Sequence, residues 1–328
     1  MRPVLLPANQ PLARFYAGGE QIAAFRGDPP PPPNTPEDWV GSTTTVRGDA
    51  STGLTTLPDG RLLREAVADD PEAWLGAAHV SRWGADPKLL VKLLDAGQRL
   101  PVHAHPDGEF ARVHLAAAHG KAEAWYLLEP GTVYVGLSRD ISADELAAVV
   151  AQQRTADLLA LLNPIELSAG QSVYVAPGTL HAIGQGVLLV EVQEPEDLSI
   201  LLEQDGFDLV GVDGTLGLGW QTALSALDLE AVDPASLVGP SRDGGECLVE
   251  AADEYFHQQL VSGPAQLDAG FAVLVVTGGE GELSGVGADG EPWQQPLHAG
   301  QTLLVPAAAG KSQLTGEVHV LACRPPRP

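Results

Sequence analysis

From "KLLVKLLDAGQRLPVHAHPD" (88–107) onward the sequence is made of short apolar runs separated by Gly, Pro and Asp, and the rhythm persists almost to the C-terminus. Runs of this kind bounded by turn formers are strands. A chain written this way folds as an all-β barrel or sandwich, with helix in the minority. One helical stretch interrupts it: "ISADELAAVVAQQRTADLLALLNP" opens with a capping box, Ser142 and Glu145, carries an apolar stripe from Leu146 to Leu162, and stops at Pro164. Near the start, "GDPPPPPNTPEDW" places five consecutive prolines, which fix an extended surface segment.

The strand rhythm also repeats. "AGQSVYVAPGTLHAIGQGVLLVEV" (169–192) and "AGQTLLVPAAAGKSQLTGEVHVLA" (299–322) share a Gly turn, a strand, a small-residue and Pro turn, and a second strand. Likewise "AWYLLEPGTVYVGL" (124–137) echoes "AVLVVTGGEGELSGV" (272–286) as a strand, a Gly-containing hairpin and a returning strand. Two copies of one β-barrel unit are expected, and 328 residues accommodate two domains. The first, residues 1–240, carries an N-terminal extension and the helical insertion; the second spans 241–328.

A formal charge of −25 repels nucleic-acid phosphates and anionic lipid, which excludes both as partners. The two cysteines, Cys247 and Cys323, supply neither a disulfide framework nor a Cys-type zinc site. "MRPVLLPANQPLARF" lacks the apolar core of a signal peptide, and no run approaches a membrane span, so a cytoplasmic protein is expected.

Chemistry concentrates in the first unit. On a strand, residues i and i+2 share a face, so His103 and His105 project together and converge if that face is the barrel interior. "PGTLHAI" places His181 just after a tight turn at a strand start, while the corresponding region of the second unit holds Ala309, Gly310 and Lys311. Two acids compete to complete the set. Glu109 lies four residues after His105 but in a turn leading into a helix, whereas Glu123 opens the strand "EAWYLLEPG" and is preferred. Three imidazoles and a carboxylate suit Zn, Mn, Fe, Co or Ni, and spacing does not choose among them.

Gly97, five residues, His-x-His, an acid and a glycine, then Pro-Gly-turn-His is a pattern that resembles the cupin barrels. More specifically, "FYAGGEQIAAFRG", "PEDW", "GKAEAWYLL" and "YVAPGTLHAIGQGVLLVEVQ", with a degenerate second barrel from "EYFHQQL", resemble the type I mannose-6-phosphate isomerase family in its short bacterial form. The resemblance implies a mainly β bicupin and an intramolecular oxidoreductase converting mannose 6-phosphate to fructose 6-phosphate through an enediol. It puts one divalent metal ion, zinc, on His103, His105, Glu123 and His181, and makes Lys121 the catalytic lysine. The partner implied is a small sugar or sugar phosphate.

This chain departs from the pattern twice. His103 stands where the family usually has glutamine, which bears on metal preference. Leu201 stands where it has an arginine, and from Thr155 to Ser241 there is no Lys or Arg at all. A phosphate calls for such donors. Either Lys121, Arg112 or Arg99 holds it, or the substrate is an unphosphorylated sugar for isomerisation or epimerisation, or the protein is a non-catalytic sugar-binding cupin. His119, next to the "GK" of this run, is a weaker active-site candidate than Lys121 and reads more readily as a surface histidine.

Overall fold

The computed structural model describes residues 1–12, 14–209, 211–240 and 244–328. It is mainly β, in three antiparallel sheets. The chain begins with β1 (Val4–Leu6), which joins a sheet built otherwise from the C-terminal part. The next two sheets have five strands each. One runs β2 (Glu37–Val40), β3 (Leu90–Asp95), β10 (Leu188–Gln193), β5 (Glu123–Leu127), β8 (Ser172–Val175); the other runs β11 (Ile200–Leu201), β4 (His103–Ala104), β9 (His181–Ile183), β6 (Gly131–Leu137), β7 (Leu162–Leu167). The third follows the order β1, β16 (Thr302–Val305), β14 (Ala272–Val286), β17 (Ser312–Arg324), β12 (His257–Ser262), with β13 (Ala265–Leu267) on β17 and β15 (Pro292–His298) on β14.

The apolar runs explain the stacking. In β3 and β10 every residue is buried, as a strand covered on both faces requires. On one face Val91, Leu93 and Val190 pack against Val273, Val275 and Leu321 of the C-terminal sheet. The other face, with Leu94, Trp125 and Leu189, meets Val133, Val135 and Ile183 of the second five-stranded sheet. That sheet's outer face, including Val102, Ala104, Ala182 and Ile200, is covered by helices. The chemistry-bearing side chains of β4 and β9 therefore point inward, between the two five-stranded sheets.

Three local expectations are corrected. The stretch from Ser142 to Pro164 forms two helices, Ala143–Ala151 and Thr155–Ala160, because Gln153 takes a left-handed φ of 47° between them. Pro164 then lies inside β7 rather than serving as a stop. Ser142 does cap, accepting from the Glu145 N–H at 3.1 Å, while the Glu145 side chain pairs with Arg139. The paired "hairpins" are not hairpins: β5 and β6 belong to different sheets, and 272–286 is the single strand β14. There the register shifts between Val276 and Gly278, with Thr277 the extra residue, so the strand bulges where a turn was expected. The helix expected after the His105 turn is Gly108–Leu115, and further helices, Glu20–Arg26 and Leu63–Asp69 among them, lie outside the stretches expected to be helical. The 240/241 division falls at residues 241–243, outside the described residues.

Candidate metal centre and its charged wall

His103 on β4 sits directly opposite His181 on β9, so adjacent strands deliver two imidazoles to one face. His105 follows just past the end of β4. Its carbonyl accepts the Gly178 N–H at 2.7 Å, which ties the "PGT" turn ahead of His181 to the His-x-His segment. From the facing sheet Glu123 opens β5. The ring centroids of His103 and His181 are 4.0 Å apart, and those of His105 and His181 4.8 Å. Glu123 Oε2 lies 3.1 Å from His105 Nε2, and Glu123 Oε1 lies 3.2 Å from His181 Nε2. All four residues are buried.

The outer ring nitrogens fix the tautomers. His103 Nδ1 contacts Pro101 O at 2.8 Å, His105 Nδ1 contacts Leu198 O at 2.5 Å, and His181 Nδ1 contacts Thr179 O at 2.8 Å. A carbonyl only accepts, so each Nδ1 carries the hydrogen and each Nε2 presents a lone pair inward. At His181 that lone pair faces Glu123 Oε1 without a hydrogen bond between them. Two buried acceptors turned toward each other are stabilised only by a cation or proton nearby. Charge tuning agrees. Burial first, then the neighbouring imidazoles, keeps His103 neutral, its pKa well below the usual range. Burial and then Lys121 push His105 down to about 3. For Glu123 burial pulls upward, but Lys121, His105 and His181 outweigh it and hold the carboxyl well below its ordinary value. The residues therefore fit a metal ion, as neutral imidazoles and an ionised carboxylate.

Lys121 shows how the set receives positive charge. Its ammonium donates to Glu123 Oε2 at 2.6 Å and to His105 Nε2 at 2.8 Å. Its backbone is pinned by a close approach: Lys121 N donates to Pro106 O, and a Cβ on the preceding Gly120 would lie 2.6 Å from the backbone of Asp107 and Gly108. Glu109, the rejected acid, is exposed on the helix Gly108–Leu115 and pairs with Arg112. His119 is not a surface histidine; it is buried, with Nε2 2.8 Å from Asp86 and Nδ1 2.9 Å from the Lys88 ammonium.

Beside the cluster lies a cavity of about 40 Å³, lined by His103, Lys121 and Glu123 on one side and by Arg14, Lys92 and Glu191 on the other. A larger hollow of about 790 Å³, around Trp293 and Lys311, lies in the C-terminal sheet, away from this cluster. We take the small cavity as the functional one because the convergent ionisable groups are there. Glu37 is the hub of its far wall. It accepts from Tyr16 Oη at 2.8 Å, Trp39 Nε1 at 2.7 Å and Arg14 Nε at 3.1 Å, and lies 3.5 Å from Lys92 Nζ. Lys92 also pairs with Glu191 at 3.2 Å, and Arg14 with Asp197 at 3.5 Å. Burial pulls the Glu37 pKa upward, but Arg14 and Lys92 outweigh it and keep the carboxyl ionised. Burial raises Glu191, with Lys92 opposing. The sequence reading missed this wall, although a signal was present: Lys92 and Glu191 are lone charges inside the apolar runs "LLVKLL" and "LLVEVQ", directly opposite each other across β3 and β10.

No family model matches the sequence. A mannose-6-phosphate isomerase from Streptococcus mutans is 28% identical over 241 residues, 71% of this chain and 73% of the relative. The mannose-6-phosphate isomerase ManA of Bacillus subtilis is 28% identical over 237 residues, 70% of this chain and 72% of its own length. Among solved structures, the mannose 6-phosphate isomerase from Bacillus subtilis superposes with a TM-score of 0.76 at 23% identity, covering 99% of this chain and 100% of that one. A variant of the phosphomannose isomerase from Salmonella typhimurium gives 0.74 at 16% identity, with both chains fully covered.

Fold and relatives together define a mainly β enzyme with an isomerase function. Its three buried imidazoles, His103, His105 and His181, are close enough together to hold a metal ion. In sequence the chain is similar to mannose-6-phosphate isomerases over about 70% of its length, and in fold over nearly all of it. Among the described residues, no helix is long and apolar enough to cross a membrane.

Proposed function

We propose that this protein interconverts mannose 6-phosphate and fructose 6-phosphate by moving a proton between C1 and C2 of the open-chain sugar through an enediol. His103, His105, Glu123 and His181 would hold one divalent metal ion, zinc by family resemblance. The observation that carries the reading is the convergence of inward Nε2 lone pairs on Glu123, with every Nδ1 anchored to a backbone carbonyl. A bound ion supplies Lewis acidity, polarising sugar oxygens.

The chain's own groups do the rest. Lys121, within hydrogen-bond reach of Glu123 and His105, is the side chain assigned to the proton at C1 and C2. Arg14, Lys92 and Glu37 form a rigid wall that orients hydroxyls and leaves little room for water. We also propose that residues 1–240 form the catalytic unit and 241–328 a bicupin partner without metal ligands, with a small sugar phosphate as ligand and neither nucleic acid nor membrane lipid, in keeping with the charge of −25.

The test is isomerisation by the metal-reconstituted protein, followed by NMR in deuterated water with mannose 6-phosphate and with unphosphorylated mannose. Conversion of the phosphorylated sugar, with deuterium entering from solvent, is expected. Turnover confined to the free sugar, or none with either, overturns the assignment.

A further inference from the structure

A sugar phosphate needs a cation for its charged end, and among the described residues the metal chamber has none free. Lys121 is engaged by Glu123 and His105, Lys92 by Glu37 and Glu191, and Arg14 by Glu37 and Asp197. Arg112 is tied to Glu109 on an exposed helix. Arg99 differs in how it is held. Its Nη1 and Nη2 grip the Glu203 carboxylate at 2.8 and 2.5 Å, and Nη1 also donates to Leu100 O at 2.8 Å. That is the end-on fork of the guanidinium. The side-on fork, Nε–H with the remaining Nη2–H, has no hydrogen-bond partner among the described residues, and the side chain is 27% exposed.

The support beneath Arg99 is firm. Glu203 is buried and also accepts the Val102 N–H at 2.9 Å, and the Phe207 ring lies 5.8 Å from the guanidinium carbon. A guanidinium locked at one fork and open at the other presents two parallel donors, the geometry that phosphate oxygens take. Its place is suitable. Arg99 precedes Leu100 and Pro101, which line the metal cavity, and stands four residues before His103, at most about 13 Å along extended backbone. Leu201 directly opposes His103 across β11 and β4, while its neighbours Ile200 and Leu202 face the outer core. The inner face of β11 is thus apolar beside the metal cluster, and the next inward position along the chain is Glu203, the residue that holds Arg99.

We infer that Arg99, clamped by Glu203, is the specificity-determining residue of this chain, binding the phosphate of a phosphorylated aldose with its open fork. The inference rests on the isomerase reading above. It commits to a phosphorylated over a neutral substrate, and to one residue.

The experiment compares the metal-loaded wild type with Arg99→Gln and Arg99→Lys, together with an Arg99→Gln, Glu203→Gln pair that leaves no carboxylate buried unpaired; thermal melts confirm folding. Two readouts are taken: KM for mannose 6-phosphate against KM for mannose, and calorimetric binding of inorganic phosphate, which needs no turnover. In both glutamine variants KM for the phosphorylated sugar is expected to rise at least tenfold and phosphate binding to vanish, while KM for mannose stays within threefold. Lysine, with a point charge and no fork, restores only part. Unchanged phosphate binding, or equal KM rises for the two sugars, overturns the role of Arg99. A wild type that binds phosphate through Arg99 but turns over neither sugar overturns the isomerase reading and leaves the anion site standing.

Discussion

The two halves of the molecule are built from the same material and spend their interiors differently. Between the five-stranded sheets lie three histidines, two lysines, Glu37, Glu123 and Glu191, all buried. Inside the C-terminal sheet the corresponding space is filled by Val276, Leu283, Leu297, Leu303, Leu314 and Val320. An apolar interior is stabilised by burial alone. A polar one persists only when each group is matched, which is why Glu37 has four partners and each imidazole is anchored from behind. The difference shows what a buried polar cluster requires of its surroundings: a second set of groups, such as the carbonyls of Pro101, Thr179 and Leu198, that hold it from behind.

The hardest test of this contrast is His181→Ala. Removing one converging lone pair should abolish stoichiometric metal content by elemental analysis and drop isomerase activity to background. Next, Lys121→Ala should keep the metal yet lower kcat by about 10²–10⁴-fold, the usual share of a proton-transferring group. If metal is lost as well, Lys121 belongs to the structural wall.

In Glu37→Ala the buried Lys92 and the partly buried Arg14 lose their shared carboxylate. A stability loss of about 3–5 kcal/mol by denaturant titration is expected. The pH dependence sharpens this. Because the Glu37 pKa is lowered on folding, its contribution is complete above the unfolded value of about 4.3 and fades as pH falls toward the folded value. Glu37→Gln should therefore show a flatter acid limb than wild type. In the other half, Leu297→Ala should cost about 2–5 kcal/mol by cavity formation while metal content stays the same. Metal loss there would mean the halves are coupled more tightly than their separate interiors suggest.

Much of this was legible in the sequence because strand periodicity is a local signal. Alternation put His103 and His105 on one face and Glu123 at the head of a strand, and the turn ahead of it put His181 at a strand start, without saying which face is the interior. What stayed hidden depends on long-range partners. Arg14 meets Glu37 and Asp197 only after the N-terminal segment has crossed the sheet edge, and a lone arginine in "LARFY" announces nothing. His119 reads as a surface residue until Asp86 and Lys88 are brought beside it. The 272–286 segment was misread because glycine pairs mark both hairpin turns and bulges, and only the register with β17 separates them.

The position of β1 has a further consequence, for how the C-terminal sheet is closed. Val4, Leu5 and Leu6 pair with Leu304, Leu303 and Thr302, so this one seam closes a loop that contains every strand from β2 to β15. Arg26 fastens the same seam, donating to Leu6 O at 2.7 Å and Thr302 Oγ1 at 2.9 Å. Until that loop closes, the outer edge of β16 is an unpaired apolar edge, the kind of surface on which strands of other chains can add.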